Sequence, residues 1–299
     1  MLDNYDLSKV KLVASDLDGT LICGKYNECL VSKRSAKVLQ DLEAEGVQIA
    51  LASGRPPRSM DPVLDLVQLS HPWVLSCNGG MVLDPHERQK ILKSFPITRV
   101  YAILEKIKNA LGDQVCLGVE SGALFKCDEG YAAQRGPENM NHHYQQIDRL
   151  EDFATDDVEK MVVLHKTWPA EKLYDYIQNQ LFVDPEWRSV INITFSNVYF
   201  IEISAANVSK GSTLQTLCAE NDFAANQIVA FGDMPNDIEM IRFAGLGIAM
   251  ANAHQDAKKA ADYVTLSNME EGVAVVLEKV LNQIRAKKAA ATSSPTQLN

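Results

Sequence analysis

The chain has 299 residues, 46% of them hydrophobic, and a formal net charge of −10. That length favours two domains over one and supplies enough apolar residues for a sizeable core. The acidic balance argues against nucleic acid or an anionic membrane surface as a partner, so an anionic substrate would have to be attracted by a few local cations or a metal.

No apolar stretch approaches the ~18 residues of a spanning helix, and the chain starts without a secretory apolar region. The six cysteines, Cys23, Cys29, Cys77, Cys116, Cys127 and Cys218, form no C-x-x-C pair and fit no zinc spacing. Reduced thiols in a cytoplasmic protein are the expectation. Of the six histidines only His142 and His143 are adjacent. Neighbours do not share a helical face, which makes them a poor metal pair.

The first element is Val10 to Leu21, VKLVASDLDGTL. A short apolar run there reads as a buried strand and ends in Asp16, Asp18 and Gly19. Ligands of open α/β sheets sit beyond the carboxyl ends of strands, so two acids at that exit face a cavity. Their mutual repulsion suggests a bound cation. A solvated Asp-Gly turn is the competing reading of these residues alone.

Cys23 to Leu30 reads as a loop. Ser32 is a helix N-cap, Ala36, Val38, Leu39 and Leu42 form an apolar face, and Gly46 closes the helix. Val47 to Ala52 is the next strand, parallel to the first through a right-handed crossover. It ends in Ser53-Gly54-Arg55-Pro56-Pro57, where a proline fits a first helical turn. Val74 to Ser76 is a third strand closed by Asn78-Gly79-Gly80, and Met81 to Leu83 returns as a hairpin.

From about Asp84 to Ser204 helices mix with alternating strands: helix Ile97 to Leu111, strand Lys160 to His165, helix Ala170 to Leu181, and a hairpin of Val190 to Phe195 with Tyr199 to Ile203. Gly130 to Thr155 has no clear pattern. This is an α+β module inserted into the first domain. The α/β pattern resumes with Lys210-Gly211, a helix Ser212 to Asn221, and a strand Ile228 to Phe231. That strand runs into Gly232-Asp233-Met234-Pro235-Asn236-Asp237. A strand Leu246 to Met250 and a closing helix Val273 to Ile284 follow. Residues 286–299 lack apolar periodicity and read as a disordered tail. The expected fold is a doubly wound, Rossmann-like parallel sheet (1–83 and 205–285) with an α+β cap (84–204).

Four polar clusters fall at strand ends or helix starts: Asp16/Asp18, Ser53, Lys210 and Asp233/Asn236/Asp237. Acidic ligands without His or Cys select a hard cation, Mg²⁺ foremost. An oxyanion between such a cation and a lysine is the geometry of a bound phosphate.

The ordered set of motifs resembles the haloacid-dehalogenase-like superfamily, and within it the Cof-type (subclass IIB) phosphatases with a large cap. The matching stretches are DLDGTL at 16–21, SGR at 53–55, NG at 78–79, KG at 210–211, GDMPND at 232–237 and AMANA at 249–253. The likeness covers about two-thirds of the chain. It implies that Asp16 is the nucleophile and Asp18 the general acid and base. It implies Mg²⁺ on Asp16, the Asp18 carbonyl and Asp233, with Asp237 behind them orienting Lys210 or a metal-bound water. Leu17, Ser53, Gly54, Lys210 and Asn236 would hold the phosphoryl oxygens. For that role Asp18 must carry a proton part of the time.

The implied function is hydrolysis of a small phosphorylated metabolite, a sugar phosphate or a nucleotide or cofactor phosphate, by a monomer or weak homodimer. A phosphomutase and a non-catalytic sensor of a phosphorylated ligand are the alternatives. Arg55 reads as a surface or supporting residue. Met234 is a poor metal ligand that departs from the usual polar residue. Arg135, His142, His143, Lys166 and Arg188 of the cap are solvated rather than substrate-binding.

Overall fold

The computed structural model describes residues 2, 5–23, 30–83, 90–92, 95, 97–121, 124–136, 144–154 and 158–293. Among them the strands are β1 (Leu12–Asp16), β2 (Gln48–Ala52), β3 (Trp73–Ser76), β4 (Met81–Leu83), β5 (Lys90–Leu92), β6 (Val115–Ser121), β7 (Leu124–Cys127) and β8 (Tyr144–Gln146), followed by β9 (Lys160–His165), β10 (Ile191–Thr194), β11 (Phe200–Ala205), β12 (Ile228–Gly232), β13 (Leu246–Ala249) and β14 (Tyr263–Val264). They form an eight-stranded sheet in the order β14-β13-β12-β1-β2-β3-β4-β5 and a six-stranded sheet in the order β10-β11-β9-β6-β7-β8.

The first sheet is parallel from β14 through β3 and turns antiparallel at β4 and β5. Its central strands are buried along their whole length because helices cover both faces. Val13, Ile49, Leu51 and Phe231 pack with Val38, Leu39 and Leu42 of the helix Lys33–Ala44 and with Val273 and Leu277 of the helix Gly272–Ser293. Leu12, Ala14, Ala50 and Ala230 point the other way, onto Leu214, Leu217 and Met240. The period-two alternation of side chains thus feeds two cores from one strand. Ser32 caps its helix by accepting the Ser35 N–H, and Gly46 follows the helix at φ +85°, both as the sequence indicates.

The second sheet is largely antiparallel and buries one face, Val115, Leu117, Val119, Met161, Val163, Ile201 and Ile203, under the helices Ile97–Leu111 and Ala170–Tyr176. Its opposite face carries Glu120, Lys160, Glu202 and Thr194, and part of it meets the first sheet's loops. Lys160 donates to the Gly54 carbonyl at 2.6 Å, and Arg58 pairs with Glu120 at 2.8 Å.

Three details differ from the sequence reading. The closing helix runs on to Ser293, so 286–293 are helical and not a disordered tail; 294–299 lie outside the described residues. β5 extends the first sheet past residue 83, where the cap was expected to begin. The helix expected over Ala170 to Leu181 relaxes into a π turn at Ile177–Leu181. His142, His143 and Cys29 lie outside the described residues. The other five cysteines are free thiols. No helix among the described residues is long and apolar enough to cross a membrane.

Candidate active site

Asp16 is the last residue of β1 and faces Ala52 across the parallel pair with β2. Ser53 therefore leaves β2 beside Asp16. On the other flank Ser15 pairs with Phe231 of β12, so Gly232 ends that strand and Asp233 leaves the sheet on Asp16's other side. Three chain exits meet at one edge, and each carries a polar residue the sequence had singled out.

Lys210 opens the helix Lys210–Glu220, whose N-cap Ser209 accepts the Ser212 N–H. Its side chain is 1% exposed. The ammonium donates to Asp16 Oδ1 and, at 2.7 Å, to Asp237 Oδ1. Asp237 Oδ2 accepts the Asp233 and Met234 N–H groups, each at 3.0 Å. Both oxygens of Asp237 are thereby committed to holding Lys210 and the 233–234 backbone. Asp233 Oδ1 accepts the Thr20 hydroxyl at 2.9 Å.

Asp16, Asp233 and Asp237 place carboxylate oxygens within 4.8 Å of one another, all buried. Burial first, then the Asp237 charge, pushes Asp16 up to about 7, against the opposing pull of Lys210. Burial and the charges of Asp16 and Asp237 likewise raise Asp233 well above the carboxylate range, although Thr20 and Lys210 oppose them. Lys210 is raised in turn because its two carboxylate partners outweigh its burial. Three buried acids around one ammonium leave negative charge that a further cation would relieve. The donor set is all oxygen, which suits a hard divalent ion.

Two glycines make room for this packing. Gly19 sits at φ +86°, and a Cβ there would lie 2.4 Å from Asp233 Oδ2. A Cβ on Gly232 would lie 2.3 Å from Asp237 Cβ. Ser53 is buried, and its hydroxyl accepts the Arg55 N–H at 3.1 Å. Leu17 is buried at the turn after β1, with its carbonyl accepting from Thr20 and Ile22. Asn236 donates to Asn78 Oδ1 at 3.0 Å, while its own Oδ1 is buried without a hydrogen-bond partner.

Asp18 stands apart from the acidic cluster. Its carboxylate is gripped in a fork by Arg55, with Nε to Oδ2 at 2.7 Å and Nη2 to Oδ1 at 2.5 Å. Arg55 is thus a site residue that the sequence reading set aside. Its position in the Ser53-Gly54-Arg55 loop was the available signal. Met234, flagged in the sequence as no metal ligand, packs against the apolar cluster beneath the second sheet. Among the described cap residues, Lys166 is exposed, while Arg135 lies over the Phe200 ring.

Comparison with known proteins follows the same outline. The profile of the haloacid dehalogenase-like hydrolase family matches residues 13–277. A 5-amino-6-(5-phospho-D-ribitylamino)uracil phosphatase of Bacillus subtilis is 27% identical over 268 residues, covering 89% of this chain and 93% of that protein. A crystal structure of a haloacid dehalogenase-like hydrolase from Bacteroides thetaiotaomicron superposes with a TM-score of 0.72 at 27% identity, covering 91% of this chain and 99% of that one. A solved subclass IIB sugar phosphatase shares the fold with a TM-score of 0.72 at 20% identity, covering 90% of this chain and 98% of that one.

Proposed function

Because this chain belongs to the haloacid dehalogenase-like hydrolase family, we propose that it is a cytoplasmic phosphatase that hydrolyses a small phosphorylated metabolite through an aspartyl-phosphate on Asp16. The observation that carries the reading is the buried Lys210 ammonium bridging Asp16 and Asp237 where β1 and β12 end. A cation fixed against a carboxylate lets that carboxylate approach an anionic phosphate.

In this reading an Asp16 oxygen bonds to phosphorus while the ester P–O bond breaks. Asp18 gives its proton to the departing alcohol oxygen. Water then attacks the aspartyl-phosphate phosphorus, Asp18 takes the water's proton, and Asp16 is released as a carboxylate. Ser53, the Leu17 and Gly54 amides, Lys210 and Asn236 hold the phosphoryl oxygens. The unpartnered Oδ1 of Asn236 suits a role completed by a ligand. Arg55 must release one oxygen of Asp18 for each proton transfer.

Mg²⁺ held by Asp16, the Asp18 carbonyl and Asp233 would supply charge neutralisation between nucleophile and phosphate. The second sheet, as a cap, excludes bulk water and selects the alcohol.

The decisive experiment assays a panel of phosphate esters in Mg²⁺. Turnover by the wild type, stopped by EDTA and restored by Mg²⁺, is expected. Asp16→Asn should lower kcat by about a thousandfold or more with an unchanged circular dichroism spectrum. Full activity in that variant removes the covalent route, and no turnover of any ester by the wild type removes the phosphatase reading.

A further inference from the structure

The loop after β2 is held from two sides. The Ser53 carbonyl accepts the Asn78 N–H at 2.9 Å and the Arg55 carbonyl accepts the Cys77 N–H at 2.8 Å, both from the turn that follows β3. The Gly54 carbonyl between them instead accepts the Lys160 ammonium of β9, in the second sheet, at 2.6 Å. Lys160 is 4% exposed, and its ammonium also donates to Glu202 of β11 at 2.8 Å. Burial opposes the charge on Lys160, but Glu202 outweighs it and keeps the ammonium's pKa above its ordinary value. Glycine at 54 lets the two sheets come this close, because a Cβ there would lie 2.9 Å from Glu202 Oε1.

One peptide unit joins this lysine to the Ser53 hydroxyl. Its carbonyl, on Gly54, accepts from Lys160, and its N–H, on Arg55, donates to Ser53 Oγ at 3.1 Å. Hydrogen bonds in such a chain polarise one another, and one that begins at an ammonium is charge-assisted. Ser53 uses a lone pair on the Arg55 N–H, which leaves its own proton for an acceptor in the site. A cation of the second sheet therefore fixes the plane of the peptide that orients Ser53. Arg58 and Glu120 also join the two sheets, at 2.8 Å, but that ion pair lies outside this chain of hydrogen bonds.

Resting on the reading above in which Ser53 holds a phosphoryl oxygen, we infer that Lys160 is a positioning residue: it sets the 54–55 peptide so that the Ser53 hydroxyl donates to the phosphoryl group. The full grip on phosphate then requires the second sheet to be docked on the first. Lys160 itself touches neither the phosphate nor the reacting atoms.

The test is a double-mutant cycle on the full-length protein in Mg²⁺, read by titration calorimetry with orthophosphate as the probe. Lys160→Met should raise the Kd about fivefold or more, a coupling usual within one hydrogen-bond network. In a Ser53→Ala background the same substitution should change the Kd by less than about twofold. Glu120→Gln, which breaks the other tie between the sheets, should leave the Kd within about twofold of wild type. An equal rise in both backgrounds, or one matched by Glu120→Gln, makes Lys160 a structural tie and overturns the inference. An unchanged Kd in Lys160→Met overturns it, and so does a wild type that binds no orthophosphate. Lys160→Met leaves the Glu202 carboxylate buried without its cation. If that variant does not fold, Lys160→Met combined with Glu202→Gln replaces it under the same thresholds. The cycle does not depend on turnover. A wild type that binds orthophosphate but hydrolyses no ester removes the phosphatase reading, and the cycle still decides the role of Lys160.

Discussion

At the scale of single residues, the pairing of Asp18 with Arg55 changes what the acid needs. A guanidinium fork fixes the carboxylate plane in a way a lysine cannot. Arg55→Ala should free Asp18 to rotate and lower kcat by about tenfold or more, within the contribution usual for a general acid. Arg55→Lys should recover only part of that loss, and steady-state kinetics at several pH values would show it. Equal activity in wild type, alanine and lysine variants would make the pair incidental. Asp16, Lys210 and Asp233 were legible because strand-end carboxylates and a helix-start lysine have a place dictated by the sheet. The partner of Asp18 was not legible. Nothing local announces a fork between side chains 37 positions apart, and an arginine after a strand reads equally well as solvated.

At the scale of elements, the turn 17–20 is shaped by what lies against it. Gly19 has φ +86°, and the Asp233 carboxylate fills the place of its missing side chain. Gly19→Ala adds a left-handed backbone strain of about 1–2 kcal/mol and pushes Asp233 away from Thr20. We expect a lower Tm and a weaker apparent Mg²⁺ affinity, by tenfold or more, in a metal titration of activity. An unchanged titration would separate the turn from the cation. Other elements show where pattern reading succeeds. The β10–β11 hairpin follows from alternation alone. The last two turns of the closing helix do not, because Ala286 to Ser293 has no apolar stripe. It forms from alanine-rich propensity and from Arg285 and Lys288 reaching Glu45 of the first helix's cap.

At the scale of the whole molecule, the acidic cluster links folding, protons and metal. Asp16 keeps its proton up to about pH 7 in the folded protein against an ordinary value of 3.8, and Asp233 is raised in the same direction. Between those pH values the folded state binds a proton that the unfolded state has lost. These groups therefore make the metal-free protein less stable as pH rises through that window. A divalent ion competes with the same protons, so its stabilisation should grow as pH rises. At a hundredfold excess over its Kd the gain is about 2.7 kcal/mol. Thermal unfolding with and without Mg²⁺ should show a larger upward shift at pH 8 than at pH 5.5. An equal shift at both pH values would place the ion away from these carboxylates.

The parallel order of the first sheet has a consequence for synthesis. β1 sits between β2 and β12, yet residues 12–16 and 228–232 are separated by the whole second sheet. A ribosome adding roughly 5–20 residues per second exposes one flank of β1 for tens of seconds before its neighbour emerges. During that interval the bare amide and carbonyl groups of an apolar strand invite pairing with other nascent chains. The site at the end of β1 can assemble only once the final third of the polypeptide has been translated, so a truncated product carries Asp16 without Lys210, its buried ion-pair partner.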